Sequence, residues 1–531
     1  MFNKNILSSS IIAALSSMAV STMGYAQEIE ANGVEVITVS GIRGSLARAM
    51  DVKRSADGIV DVISAEDMGK FPDTNLAESL QRITGVSIDR SNGEGSKVTV
   101  RGFGPANNLI TLNGRQLPTT TGDRTFDFSN IASESVTGVS VYKTSSASVA
   151  SGGIGATIDL QTHKPLQSAD TVATFGVKLI NDTSTDEGGT TPELSGLYSQ
   201  TFADKMLGIS LAGSYQDRES GTQQFFQDQG YRASDFTNTG WGGVPAGADG
   251  GTNRPASGIY SNPQQPRYVF EERQRTRMNG QLVLQYRPVE NVTATLDYTM
   301  VRNEVEEQHT DASVWFNYAG DRSESVWAGE PNAVPLIYSE IYDINSPSDL
   351  KDTSLTVGAW GSEQKIDSIG FNLDWQVNDN LNLTFDHHSS SAGMQATDPR
   401  HGTRNNVQLP SYTRTRTGLD LTGDLPGIAT GNIENFTPQT MRLSGSWFAN
   451  DKYSSDIDQT QVSGEYYIND ELSIDFGVSV NTVNNHYRHT LVQRSDWGGV
   501  GEEGDFADVN WRKDTILDKF DATAGNFEGT A

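Results

Sequence analysis

From about Ala169 onward the chain repeats one arrangement, in which two stretches of alternating apolar and polar residues are joined by a turn of three or four residues. Leu194 to Phe202 meets Met206 to Tyr215 across Ala203-Asp204-Lys205, and Met278 to Arg287 meets Val292 to Met300 across Pro288-Val289-Glu290-Asn291. Ile366 to Val377 faces Leu381 to His388 across Asn378-Asp379-Asn380, and Val462 to Ile468 faces Leu472 to Val480 across Asn469-Asp470-Glu471. A period of two gives each strand one apolar face. Most of these strands are long for a soluble sheet and match a tilted membrane crossing of ~9–11 residues. Between the pairs lie excursions of about 50 to 65 residues, such as Gln216 to Gln274 and Asn303 to Gln364. Tiny turns at one end and long loops at the other are the asymmetry of an outer-membrane barrel. A secreted sandwich or propeller would use short loops at both ends. The expectation is an all-β, antiparallel transmembrane barrel.

About nine strand candidates can be counted, and the chain stops at Asn526-Phe527-Glu528-Gly529-Thr530-Ala531 without a closing strand. An open edge in lipid leaves backbone groups unsatisfied at several kcal/mol each. The sequence therefore reads as the N-terminal part of a larger barrel. A small barrel of eight strands is the alternative, but its interior is filled by its own side chains.

The first 26 residues have the parts of a secretory signal. Lys4 gives the positive start, Ile6 to Met23 the apolar stretch, and Gly24 and Ala26 the small residues before a cut ahead of Gln27. Beyond them no run of 18 apolar residues occurs, so no helical membrane span is expected. The chain has no cysteine, which excludes disulfides, thiolate metal sites and cysteine nucleophiles. A formal charge of −28 opposes binding to nucleic acid. The mean hydropathy of −0.46 is low, as expected for strands that are apolar on one face only.

Residues 55 to 166 have a different grammar, that of a compact α/β domain. Ser64-Ala-Glu-Asp67 reads as a helix start. Leu76, Leu80 and Ile83 recur at helical spacing, with Asp73 as cap and Gly85 as stop. Val98 to Arg101, Asn108 to Leu112, Val136 to Tyr142 and Ala156 to Thr162 read as strands, and Asn113-Gly114 as a two-residue hairpin turn. Ser151 to Gly155 lacks the Lys-Ser/Thr ending of a phosphate loop, so its glycines read as a tight bend. No catalytic motif is present, and no cofactor or metal is called for. The seven histidines are scattered, with His387 and His388 on opposite faces of one strand. Pairs such as Asp217 and Glu219 are expected by chance in so acidic a chain.

Ahead of this domain stands the heptad Glu35, Val36, Ile37, Thr38, Val39, Ser40 and Gly41, preceded by the flexible Ala31-Asn-Gly33. An extended, alternating segment of this kind can add to the open edge of a partner's sheet through main-chain hydrogen bonds. It could instead serve as an ordinary first strand.

The heptad resembles the TonB box of TonB-dependent outer-membrane receptors, and residues 35 to about 165 resemble such receptors in several further places. Leu76-Ala-Glu-Ser-Leu-Gln-Arg-Ile-Thr-Gly-Val86 looks like the helix-to-strand passage of their plug domain. Val100-Arg-Gly-Phe-Gly104 and Leu112-Asn-Gly-Arg-Gln-Leu-Pro118 resemble its central strand and turn, and so mark Arg101, Gly102, Phe103, Gly104, Asn113, Gly114 and Arg115 as plug motif residues. Val136 to Lys143 and Ala150 to Leu160 resemble its closing strand pair. Gly41-Ile-Arg-Gly-Ser-Leu46, Lys70-Phe-Pro-Asp-Thr-Asn75 and Val86-Ser-Ile-Asp-Arg90 look like the carbohydrate-scavenging branch of that family.

The resemblance implies a signal peptide (1–26), a periplasmic TonB-box segment (27–54), a plug (55–166) and a barrel region with long extracellular loops (167–531). It also implies TonB and outer-membrane lipid as partners, an oligosaccharide as ligand, and residence in the outer membrane. Arg101 would be a buried charge between plug and barrel, facing a carboxylate, the alternative being an exposed arginine on a loop. Where the family has 22 strands and a terminal aromatic residue, this sequence has neither. Seven of the eight tryptophans, Trp241, Trp315, Trp327, Trp360, Trp447, Trp497 and Trp511, fall outside the recognised strands. Flat aromatic faces suit sugars, although the same residues could equally pack the loops together. Arg124, Trp241, Trp315 and Trp327 are the substrate-contact candidates. A metal-chelate receptor, a passive porin or adhesin, and a secreted sugar-binding or sugar-cleaving protein are the alternatives.

Overall fold

The computed structural model describes residues 50–56, 58–64, 75–168, 171–185, 189–235, 258–318, 323–328, 334–469, 471–495, 501–511 and 515–520. Ser45–Ala531 is one compact unit, apart from Met1–Gly44. The signal peptide, the heptad, residues 65–67 of the first helix start, Asp73, Trp241, Trp497 and the final residues lie outside the described residues.

The N-terminal domain is built on a five-stranded sheet in the order β1-β6-β7-β4-β5. Its elements are β1 (Val60–Ser64), α1 (Leu76–Leu80), β2 (Val86–Ser91), β3 (Glu94–Val100), β4 (Asn108–Leu112), β5 (Arg115–Gln116), β6 (Gly138–Tyr142) and β7 (Ala156–Gln161). β2 and β3 form a separate hairpin, and β4 runs parallel to β7. The helix is shorter than its periodicity predicts. Asn75 caps it, its side-chain oxygen accepting from the amides of Ala77 and Glu78 at 3.0 and 3.4 Å. Ile83 lies beyond the helix yet is still buried, and Gly85 ends the passage at a φ of +75°. Leu76, Leu80, Val100, Val139, Ile158 and Leu160 fill the core, which extends to Val301, Ile366 and Ala392 of the surrounding sheet. Asn113 and Gly114 form the expected turn, with φ of +53° and +80°.

Around this plug curves a barrel-like antiparallel sheet, whose strands begin with β8 (Thr171–Asn181), β9 (Thr190–Phe202), β10 (Leu207–Asp235), β11 (Ile259–Val289) and β12 (Val292–Val314). A small outer sheet interrupts them with β13 (Ser323–Trp327) and β14 (Pro335–Ile341). The wall resumes with β15 (Lys351–Asn378), β16 (Leu381–Ala396) and β17 (Arg404–Arg414). β18 (Arg416–Asp420) and β19 (Gly427–Ala429) complete the outer sheet, and β20 (Gly445–Asn469) and β21 (Leu472–Ser495) end the wall. Neighbouring strands run β8-β9-β10-β11-β12-β15-β16-β20-β21, with β17 wedged between the far ends of β15 and β20. Among the described residues, β8 and β21 each pair on one side only.

The short turns between β9 and β10, β11 and β12, and β15 and β16 stand where the sequence places them, and Asp470 of the fourth lies outside the described residues. The long excursions do not survive as loops, because β10 is 29 residues long and β11 is 31, so most of Gln216 to Gln274 is paired strand. The physical reason is that ladder hydrogen bonds need no apolar face. Once the wall rises out of lipid its outward side chains turn polar, and the alternation that marks a strand in sequence disappears while pairing continues. Trp360 and Trp447 therefore sit in β15 and β20 rather than in loops.

Within the lower half of the wall the alternation is strict. On β10, Leu207, Leu211 and Tyr215 are exposed, whereas Ser210, Ser214 and Gln216 are buried on the opposite face. Phe175, Val177, Leu179, Ile369, Phe371, Trp375, Val478 and Val480 continue the exposed apolar band across the sheet. His387 points out and His388 in, as expected from period two. Among the described residues no helix is long and apolar enough to cross a membrane. Replacing Leu211 with Arg on the outward face is expected to cost up to about 2–4 kcal/mol of folding free energy in lipid. Denaturant titration of protein refolded into vesicles would show the loss.

Candidate functional site

The turn at Asn113-Gly114 delivers Arg115 out of the plug and into the wall. Its Nη1 donates to Asp297 at 2.6 and 2.8 Å, and its Nε and Nη2 donate to Asp386 at 2.9 Å. Asp297 lies on β12 directly opposite Gly370 of β15, and Gly370 in turn lies opposite His388 of β16. A Cβ at Gly370 would collide with the guanidinium, so this glycine leaves the room that Arg115 needs. Behind the turn, the Asp159 carboxylate accepts from the Gly114 amide at 2.7 Å and the Thr111 hydroxyl at 2.6 Å. Burial pushes the Asp159 carboxyl above its ordinary range. Burial also opposes the charge on Arg115, but Asp386 and Asp297 outweigh it and hold the guanidinium protonated.

Arg101, expected at this seam, is exposed at a φ of +52° and donates to the Lys143 carbonyl inside the plug. The carboxylate-backed arginine is Arg115. Gly102 (φ +81°), Phe103 and Gly104 form the turn after Val100, away from the wall contacts of Arg115. Removing one member of a buried ion pair leaves the other uncompensated, so Arg115→Met is expected to destabilise the protein by about 3–5 kcal/mol. A thermal melt in detergent would check it.

A second seam lies higher. The β2–β3 hairpin turns at Asn92 and Gly93, with φ of +52° and +78°, and places Glu94 between Arg218 of β10 and Arg275 of β11. Arg275 Nη2 donates to Glu94 Oε1 at 2.9 Å, and Arg218 also donates to Asp182 at 3.0 Å. Burial raises the Glu94 carboxyl, but the Arg275 and Arg218 charges overcome it, and the net shift is downward.

Above Glu94 opens a cavity of about 250 Å³. Its plug side is Ser91, Asn92, Glu94, Ser96, Asp127 and Ser129. Its wall side includes Arg218, Ser220, Arg273, Arg275, Asn303, Glu307, Trp360, Ser362 and Gln364. A neighbouring cavity of about 560 Å³ shares Ser220, Arg273, Glu307 and Trp360 and adds Glu219, Glu272, Glu306, Asp398 and His401. Arg273 is held by Glu307, its Nε 3.1 Å from Oε2. Asn303 is 2% exposed and donates to Asn130 at 2.7 Å, yet its Oδ1 meets no protein partner, and neither do the Nε atoms of Arg218 and Arg275. Buried polar atoms are almost always paired, so these point to water or to the polar groups of a ligand. Among the described residues no cluster has the make-up of a metal site.

The expected substrate contacts do not converge here. Trp327 is 1% exposed, packed with Tyr260, Phe316, Tyr318, Tyr338 and Leu419, and its Nε1 donates to Ser325 at 2.6 Å. It holds the outer sheet together and is not available to a ligand. Trp315 is half-buried, with its carbonyl accepting from Arg414 at 3.2 Å. Arg124 donates to the Gly152 carbonyl at 2.6 Å and lines another cavity with Tyr453 and Asn485. The wall residues Arg218, Arg275, Asn303 and Trp360 carry the site instead. One signal for them stood in the sequence: Arg273, Arg275 and Arg277 recur at spacing two, which puts three charges on one strand face.

The direction of the Glu94 shift has a consequence for acid stability. A carboxyl held below its ordinary 4.5 contributes stability above that value and loses it as pH falls through the folded-state pKa. Below about pH 4.5 the wild-type melting temperature should fall more steeply than that of Glu94→Gln, which begins less stable. Melts across pH 3 to 7 would test this, and parallel curves would contradict it.

Residues 52–157 match the family model described as TonB-dependent Receptor Plug Domain. No curated protein matches the chain. Among solved structures, the siderophore receptor PirA from Acinetobacter baumannii aligns over 83% of this chain and 78% of its own, at 11% identity and a TM-score of 0.29. The unliganded ferric citrate transporter FecA aligns over 83% and 80%, at 13% identity and a TM-score of 0.30. A point mutant of the ferric enterobactin receptor PfeA from Pseudomonas aeruginosa aligns over 83% and 72%, at 11% identity and a TM-score of 0.34.

Proposed function

We propose that this chain is a TonB-dependent receptor that carries a scarce ligand across the outer membrane, and that it is not an enzyme. The match of residues 52–157 to a plug domain, inside a sheet with an outward apolar band, carries the reading. Residues 1–26 direct export, 27–54 carry the TonB box, 55–166 form the plug and 167–531 the barrel region. Glu35 to Gly41 add as a strand to TonB, which supplies force from the inner membrane. Ligand binds above the plug, and force transmitted through the N-terminal segment rearranges the plug to open a path.

The ligand we favour is an uncharged oligosaccharide. In the upper cavity the three arginines face Glu94, Asp127 and Glu307, so little positive charge is left over. In the adjoining cavity Arg273 again meets Glu307, with Asp398 also in the lining, so no excess of positive charge is left there either. An anionic metal chelate would find no uncompensated positive charge there. Serines, Asn92, Asn303 and Gln364 offer hydrogen bonds of both senses, and Trp360 offers a flat apolar face, a combination suited to sugars.

Deleting residues 35–41 should abolish energised uptake while leaving ligand binding intact. Unchanged uptake would overturn the transport reading. Trp360→Ala should weaken oligosaccharide binding by about tenfold, the worth of one lost aromatic contact. Calorimetry on the purified protein would measure this.

A further inference from the structure

We propose that Glu94 sets the charge selectivity of the upper cavity by occupying, from the plug, an anion site that the wall would otherwise present to ligands. The proposal rests on reading that cavity as the ligand site and goes beyond it in naming the residue that decides which charge is admitted.

Arg218 of β10 and Arg275 of β11 are directly opposite in the ladder. Like charges in that position repel, and two guanidinium forks side by side make a ready receptor for a carboxylate, sulfate or phosphate group. The wall supplies little to neutralise them. Asp182 reaches only Arg218, and Arg273 is engaged by Glu307. The compensating carboxylate arrives from the other domain: Glu94, 4% exposed, accepts from both arginines at once. Both guanidinium groups still line the cavity, and each keeps an Nε without a protein partner. The floor of the cavity is therefore an anion receptor already filled by the plug. A neutral polyol can bind over it through the remaining donors, whereas an anionic ligand must displace a buried carboxylate.

Inorganic sulfate is a suitable probe, titrated into the purified full chain in detergent. Wild type should bind it only weakly. Glu94→Gln should bind it at least about tenfold more tightly, with the gain falling as sodium chloride is raised, because charge-assisted hydrogen bonds would re-form. Asp182→Asn removes the same unit of charge but leaves Glu94 in place, and should gain little. Should Glu94→Gln be unstable, sulfate should raise its melting temperature in a dose-dependent way while giving no such rescue to Arg115→Met. The idea is overturned if Glu94→Gln neither binds sulfate more tightly nor is stabilised by it, or if Asp182→Asn gains as much. Neither readout needs TonB or energised uptake, so failure here leaves the transport reading standing, and the reverse also holds.

Discussion

Buried charge at the boundary between plug and wall is the constraint on which the rest of this structure depends. A plug that fills a barrel has a large surface, and the inward face of the wall buries many polar and charged side chains. Charges trapped there lose their hydration and need partners of opposite sign. Arg115 between Asp297 and Asp386, and Glu94 between Arg218 and Arg275, are two solutions of opposite polarity. In each, one plug residue binds two wall residues, so orientation and depth are fixed together. Asn130 adds an uncharged contact, meeting Asn279, Asn303 and Gln364.

Ion pairs suit a plug that, on the proposed transport reading, both holds and moves. Buried ionic contacts contribute little net stability compared with apolar packing of the same size, yet they strongly disfavour misplacement. The apolar continuity with Val301, Ile366 and Ala392 is small beside the polar seam. A boundary of this kind specifies one position without the adhesion of a continuous hydrophobic core.

The repeating pairs and the plug segments could be read from the residues alone, and so could the turns at Asn113-Gly114 and Ala203 to Lys205. Each depends on neighbours within a few positions: the period of two, the turn residues and the buried leucines of α1. The upper halves of β10, β11, β12 and β15 could not be read, because above the membrane their pairing rests on the backbone and leaves no alternation in the side chains. Trp327 was misplaced for a related reason. An aromatic residue beyond the recognised strands looks exposed until the outer sheet closes over it. Arg101 and Arg115 stand 14 positions apart in similar glycine-rich surroundings, and nothing local separates the exposed one from the buried one.

The sequence by itself determined the wall: where it turns, which face meets lipid, and that an α/β domain precedes it. These follow from hydrophobic period and turn chemistry, which act over short distances along the chain. Only the tertiary structure decided which charges meet, since Arg115 finds partners 182 and 271 residues away, and Glu94 finds partners 124 and 181 residues away. Those meetings depend on strand register and on the depth of the plug, and a one-residue slip would turn each wall carboxylate from the plug toward the lipid.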